Sequence, residues 1–174
     1  MLLGGARSGK SALAVRWGDA HGGPVTFVAT GQAADDEMAA RIRQHRAVRP
    51  ASWTTVEAPT GLVAAVADAP DEALVIVDCL TLWVANVFGE LDDEEVLARA
   101  GALGAAAAGR PAPTVIVSNE VGTGIVPADP ATRRYRDLLG GVNATVVSHA
   151  VAAWLLVAGR ALPLQPLPTG PTGG

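Results

Sequence analysis

The chain has 174 residues, a net charge of −4 and a composition that is 49% hydrophobic and 17% charged, long enough for the core of one domain and too apolar for a disordered segment. Its one cysteine, Cys79, excludes an internal disulfide, no Cys/His cluster has zinc spacing, and the scattered arginines form no nucleic-acid footprint. No apolar run reaches the ~18 residues of a membrane span and no signal-peptide pattern opens the chain, so the expected compartment is the cytoplasm.

Gly4-Gly5-Ala6-Arg7-Ser8-Gly9-Lys10-Ser11 fits G-x-x-x-x-G-K-[ST], the phosphate-binding loop of nucleoside triphosphatases. The glycines let backbone N–H groups approach phosphate oxygens. Lys10 reaches the β- and γ-phosphates, the Ser11 hydroxyl ligates Mg²⁺, and the following helix turns its positive dipole end to the anion. In a chain rich in Gly and Ala a chance match is the alternative. Against it, twelve arginines accompany a single lysine, and that lysine is Lys10. Such a loop normally follows a strand of ~5 residues, yet only Met1-Leu2-Leu3 precede Gly4. So short a central strand is expected to leave ladder groups unpaired, which suggests a native start upstream of Met1.

Beyond the loop, residues 11–17 read as a short helix, with Leu13 and Trp17 on one face, ended by His21-Gly22-Gly23-Pro24. Val25-Thr26-Phe27-Val28-Ala29 reads as a strand. Asp35 and Asp36 cap a helix to about Val48, on which Met38, Ile42 and His45 share a face. Pro50 draws Arg49 out of that helix. Residues 53–57 read as a strand ending in Glu57, and 61–69 as a helix. Leu74-Val75-Ile76-Val77 is a buried parallel strand with Asp78 at its carboxyl end, where α/β ligand sites form. Helices over 80–88 and 92–109 lead to the buried strand 114–117, then Ser118-Asn119-Glu120 and a glycine loop to Pro127. A long helix over 129–149, despite Gly140-Gly141, precedes a final strand at 153–157. The division is one domain over 1–162 and a flexible Pro/Gly tail over 163–174. The alternation predicts a mostly parallel sheet with helices on both faces, an α/β fold.

Four residues follow from this layout as candidates for chemistry. Asp78 is either a metal partner for the phosphate loop or an ordinary capping aspartate. Glu57 and Asn119 end strands facing the same crevice. His45, with Arg41 and Arg49 four residues either side and Arg46 adjoining, is either a packed histidine or a catalyst on a basic strip. His21 and His149 have no such neighbours and read as structural or surface residues.

The set GGARSGKS (4–11), DDEMAARI (35–42), His45 with Arg49-Pro50, and SNEVGTGIVP (118–127) resembles the bifunctional adenosylcobinamide kinase/adenosylcobinamide-phosphate guanylyltransferase family of cobalamin biosynthesis. Trp53 with Glu57, Arg136-Asp137 with Val142-Asn143, and Trp154-Leu155 before Gly159 extend the likeness over nearly the whole chain. The resemblance implies a three-layer, RecA-like P-loop fold and a homotrimer. It implies two reactions: phosphorylation of adenosylcobinamide by ATP or GTP, then transfer of GMP from GTP to adenosylcobinamide phosphate through a guanylyl-histidine. His45 falls on the family's guanylylated histidine. Gly4, Gly5, Ala6, Arg7, Ser8, Gly9, Lys10, Ser11, Ala29, Thr30, Gly31, Arg46, Ala47, Val48, Arg49, Glu57 and Asp78 fall on its nucleotide-contacting positions. Gly31 stands where serine is common, Asp78 where glutamate is common, and the tail has no counterpart. Two other readings stay open on residues alone: an enzyme keeping only the kinase step, and a regulatory nucleotide switch.

Overall fold

The computed structural model describes residues 1–33, 35–47 and 49–168, without the side chains of Arg41 and His45. Seven strands form one sheet in the order β3-β2-β4-β5-β1-β6-β7. They are β1 (Leu2–Gly4), β2 (Val25–Ala29), β3 (Thr54–Glu57), β4 (Leu74–Asp78), β5 (Thr114–Val117), β6 (Ala153–Val157) and β7 (Arg160–Leu164). The first six run parallel and β7 is antiparallel to β6. The helices are α1 (Lys10–His21), α2 (Asp36–Ala47), α3 (Leu62–Ala67), α4 (Leu80–Val87), α5 (Asp93–Ala108) and α6 (Pro130–Val147).

Strand alternation divides the core. On β4, Leu74 and Ile76 join Phe27, Leu2 and Val115 under α1, while Val75 and Val77 join Val28 and Ile116 under α3 to α6. Both faces of the strand are buried, which is why β4 is an unbroken apolar run rather than an alternating one. The second face is the larger, with Leu62, Leu80, Trp83, Val96, Leu103 and Leu139 all at or near zero exposure.

The short central strand is fully engaged. The carbonyls of Met1, Leu2 and Gly4 accept from the N–H groups of Trp154, Ser118 and Glu120, and the Met1 amine donates to Ala152 O. The ladder groups expected to go unpaired therefore have partners on β6 and at the end of β5.

Two departures from the sequence reading have local causes. Helix α1 runs on past Trp17 to His21 and stops at Gly22, whose φ of 71° forms a left-handed cap. Gly18 sits inside it because the Trp53 ring fills the space a side chain would need: a Cβ at Gly18 would lie 2.5 Å from Trp53 Cη2. Gly141 is tolerated within α6 for a related reason, with Leu97 of α5 closing to 3.1 Å of where its Cβ would be. The second departure is β7, which takes Pro163 out of the expected tail and pairs it with Trp154. Proline is admissible there because β7 is an edge strand. The turn joining it to β6 has positive φ at Ala158 and Gly159, the mirror-image geometry that suits hairpins. Residues 169–174 of the tail lie outside the described residues.

Capping follows the usual chemistry. Asp92 accepts from Glu95 N at the start of α5, and Asp129 from Thr132 N at the start of α6. At the opposite end of the sheet, Arg110 donates to the carbonyls of Val66, Ala69, Pro70 and Ala73 at 2.8–3.0 Å, closing the end of α3 and the entry to β4. Arg110→Met keeps the stem but leaves these carbonyls without their cation. Urea unfolding is expected to register a loss of about 2–3 kcal/mol; a loss below about 0.5 kcal/mol would mean that water replaces the guanidinium.

Candidate functional site

The carboxyl ends of β1, β2, β4 and β5 open onto a cleft of about 310 Å³, bordered by the loop before α1 on one side and by α2 on the other. The loop's conformation follows from its glycines. Gly4 has φ 146°, and a Cβ there would lie 2.3 Å from Leu156 O on β6. No side chain fits at that position, so Gly4 serves the packing of the loop's base as much as any ligand. Gly9 (φ 102°) turns the chain into α1, Arg7 is also left-handed at φ 55°, and Gly159 N in the β6–β7 turn donates to Ser8 O.

Lys10 is buried and folded back into its own loop. Its ammonium donates to Gly4 O at 2.8 Å, Gly5 O at 2.7 Å and Ser8 Oγ at 3.3 Å. Burial lowers its pKa, opposed by the electrostatic influence of Cys79 and Asp78. Ser11 Oγ donates to Asp78 Oδ1 across 3.2 Å, joining the first turn of α1 to the end of β4. A hydroxyl and a carboxylate side by side at the mouth of a phosphate loop form an oxygen donor set of the kind hard divalent cations take. Among the described residues no group of three or more His, Cys, Asp or Glu could hold a metal without such help.

The other wall is mixed. Met38, Ile42 and Leu82 give it an apolar stretch beside Gly31. A Cβ at Gly31 would meet Leu82 at 3.4 Å and Ile42 at 3.5 Å, so the serine common at this position would also fit. Arg46 Nη2 pairs with Glu57 Oε1 at 2.6 Å, with both side chains mostly exposed. Arg49, past the end of α2, lays its guanidinium 3.6 Å over the Phe27 ring. Burial lowers the Arg49 pKa; Asp78 and Glu57 raise it and Arg46 lowers it.

The cleft thus gathers Ala6, Arg7, Ser8, Gly9, Lys10, Ser11, Ala29, Gly31, Arg46, Arg49, Glu57, Asp78 and Asn119. Gly4 and Gly5 contribute carbonyls to Lys10 rather than surface to the cleft. Thr30 turns inward, fully buried, and its hydroxyl donates to Cys79 O and accepts from Cys79 N. Ala47 is exposed at the end of α2. Val48 and the side chains of His45 and Arg41 lie outside the described residues.

Several positioning residues escaped the sequence reading. Asn119 is held at both backbone ends: its N–H donates to Thr81 Oγ1 and its carbonyl accepts from Asn143 Nδ2. Tyr135 OH donates to Thr81 O, and burial pushes the Tyr135 phenol up to about 12. Asn86 donates to the carbonyls of Thr30 and Pro59, tying α4 to the ends of β2 and β3. Only Asn143 had any signal beforehand, as part of a family-like pair; the others are common residues in unremarkable contexts.

A parallel sheet in this order, a glycine loop entering α1 with a buried lysine, and a serine–aspartate pair define a P-loop protein that handles nucleoside triphosphates. Residues 1–164 match the family described as cobinamide kinase / cobinamide phosphate guanyltransferase, and the chain belongs to that family. It is 40% identical over 166 residues to the bifunctional adenosylcobalamin biosynthesis protein CobP of Pseudomonas aeruginosa, covering 95% of this chain and 96% of the relative. It is 42% identical over 175 residues to the bifunctional adenosylcobalamin biosynthesis protein CobU of Salmonella typhimurium, covering 91% of this chain and 95% of that one. Among solved structures, a prototypical ATPase from the type III secretion system of pathogenic bacteria superposes with a TM-score of 0.56 at 14% identity. The match covers 90% of this chain and half the length of that ATPase, and it shows the shared RecA-like fold alone.

Thr30 is the joint between the two strand ends that carry the cleft floor. Thr30→Val is expected to lower stability by about 1–3 kcal/mol, because it strands the N–H of Cys79 and leaves its carbonyl with Trp83 N as donor. Thr30→Ser, which keeps the hydroxyl, should recover most of that in the same denaturant titration.

Proposed function

We propose that this chain performs both reactions of its family in the one cleft. A hydroxyl of adenosylcobinamide takes the γ-phosphoryl group of ATP or GTP. GTP then loses pyrophosphate as its α-phosphorus becomes bonded to the His45 imidazole. An oxygen of adenosylcobinamide phosphate displaces the histidine, breaking the P–N bond and giving adenosylcobinamide-GDP. One catalytic domain over residues 1–162 is the unit of this reading. The observation that carries it is the convergence of Lys10, Ser11, Asp78, Arg46 and Arg49 on a single cleft in a chain matched to the family from residue 1 to 164.

The roles follow from the chemistry available. Lys10 exchanges carbonyl oxygens for the β- and γ-phosphates, and the N–H groups of residues 5–11 cradle the same anion. Ser11 and Asp78 would hold Mg²⁺, which when bound supplies charge neutralisation on the phosphates. Arg49 stands within the cleft and Arg46 at its rim, where they stabilise the negative charge that builds up as pyrophosphate departs. Thr30, committed to Cys79, supports the site from behind, and Ala29 and Gly31 border the nucleotide. Ala47 and Val48 complete the stretch from Arg46 to Arg49 that the family likeness assigns to the nucleotide.

The support for His45 comes from α2. Met38 and Ile42 line the cleft, and the i, i+4, i+7 spacing that links them to His45 in the sequence supports a role for it in the same reaction. A neutral imidazole is a competent nucleophile, and two in-line displacements are each easier than one awkward transfer. A cytoplasmic homotrimer completes the reading. Leu162 and Leu164, exposed on the edge strand β7, support a contact between copies, and among the described residues no helix is long and apolar enough to cross a membrane.

Two variants test the scheme. Lys10→Ala is expected to lower kinase and guanylyltransferase rates together by several orders of magnitude; retention of either near the wild-type rate would put Lys10 outside a shared site. With α-labelled GTP, the wild-type chain should retain label after denaturing electrophoresis, released by mild acid and stable to alkali. His45→Ala and His45→Asn should abolish that label and GMP transfer while leaving measurable kinase activity. Persistence of the label in either variant would locate the covalent link elsewhere. A wild-type chain that never labels would leave only the kinase step or a nucleotide switch.

A further inference from the structure

The loop between β5 and α6 is built in a way that nucleotide handling does not explain. Its entry is fixed beside the phosphate loop: Glu120 N donates to Gly4 O, and Asn119 lines the cleft. The Glu120 carboxylate then accepts from Gly122 N at 2.5 Å. Its exit is fixed as firmly, with Arg133 donating to the carbonyls of Pro127 and Ala128 and Asp129 capping α6. Between these anchors the chain carries its apolar side chains into solvent. Ile125 is 98% exposed, Val126 61% and Val121 38%. Nothing among the described residues covers them, although single exposed aliphatics are ordinary and a contiguous group beside a reaction cleft is not.

The loop's chemistry narrows what it fits. Residues 121–127 carry no charge, so the loop offers nothing to a second nucleotide or to a nucleic-acid backbone. Gly124 has open space where a side chain would stand, leaving backbone N–H and C=O groups accessible. Aliphatic side chains interleaved with bare peptide groups match a large ring whose rim bears methyl groups and uncharged amide arms. The phosphoryl acceptor of the proposed reactions is such a molecule.

We propose that the loop over residues 121–126 is the docking surface for the corrinoid acceptor, seating the macrocycle outside the cleft so that its hydroxyl arm reaches in past Asn119. The inference rests on the functional reading above. Loop and nucleotide then divide the labour: the cleft binds charge, and the loop binds the bulk of the uncharged partner.

The test is the double variant Ile125→Ser with Val126→Ser, compared with wild type by equilibrium dialysis of adenosylcobinamide, read by its visible absorbance, and by kinase kinetics. The variant is expected to bind the corrinoid at least tenfold more weakly and to raise its KM correspondingly. The KM for the nucleoside triphosphate, histidine labelling by α-labelled GTP and elution volume in size exclusion should not move. Unchanged corrinoid affinity would overturn the proposal. So would a shift to a smaller species with both KM values raised, which would assign the loop to contact between copies of the chain. A wild-type chain that binds the corrinoid but does not phosphorylate it would sink the functional reading while the dialysis still decides the loop. A wild-type chain that does not bind it at all would overturn both.

Discussion

Everything at the carboxyl edge of the sheet is arranged around one ammonium group. Lys10 is the first residue of α1, and the loop before it closes on its own lysine, with the carbonyls of Gly4 and Gly5 as acceptors. That wrapping requires the backbone to be bare where it comes nearest to β6, which is the reason for Gly4, and left-handed where it enters the helix, which is the reason for Gly9. An arriving phosphate therefore competes with bonds the lysine already makes. The affinity that the lysine contributes is a difference between two sets of acceptors, not the whole of a charged hydrogen bond.

The opposite wall is less tightly held. The Arg46–Glu57 pair is exposed, and such pairs contribute little to stability, so Arg46 can leave Glu57 for a phosphate at small cost. Arg49 is better fixed by the Phe27 ring, which stands on a central strand and cannot move with it. One arginine is thus free to follow a ligand and its neighbour is anchored. The cleft combines a rigid half, made of sheet and phosphate loop, with a half carried by α2, whose side chains reach it from a single helix.

The elements legible in the sequence were those whose signal is local. Continuous apolar runs marked β2, β4 and β5, and the glycine–lysine motif marked the loop and the start of α1. Asp92 and Asp129 marked helix starts because capping is chemistry between near neighbours. The hairpin to β7 was not legible, since its turn uses Ala158 rather than Asn or Asp and its strand contains Pro163; only the edge position makes both acceptable. Nor was Thr30, whose hydroxyl is spent on Cys79, a residue 49 positions away that only the pairing of β2 with β4 brings near. Of the candidate site, the strand-end residues Glu57, Asp78 and Asn119 were found by topology, because a parallel sheet delivers strand ends to one edge. The apolar wall of Met38, Ile42 and Leu82 has no counterpart in pattern: those residues look like core until the structure leaves them at the cleft.

The pairing of β1 with β6, and of Ser8 with the turn beyond it, bears on how the chain is made. Leu2 meets Trp154 and Gly4 meets Leu156, contacts that span more than 150 positions. During synthesis the phosphate loop leaves the ribosome well ahead of β5 and β6, and its base is complete only when both strands have paired with β1. Long-range parallel pairing of this kind is slow because a large loop must close before any contact rewards it. β2, β4 and the helices between them can pack meanwhile, with the N-terminal segment still unplaced. Competence to bind a nucleotide is therefore acquired at the end of folding, and a partly made chain has no finished pocket in which to trap a triphosphate.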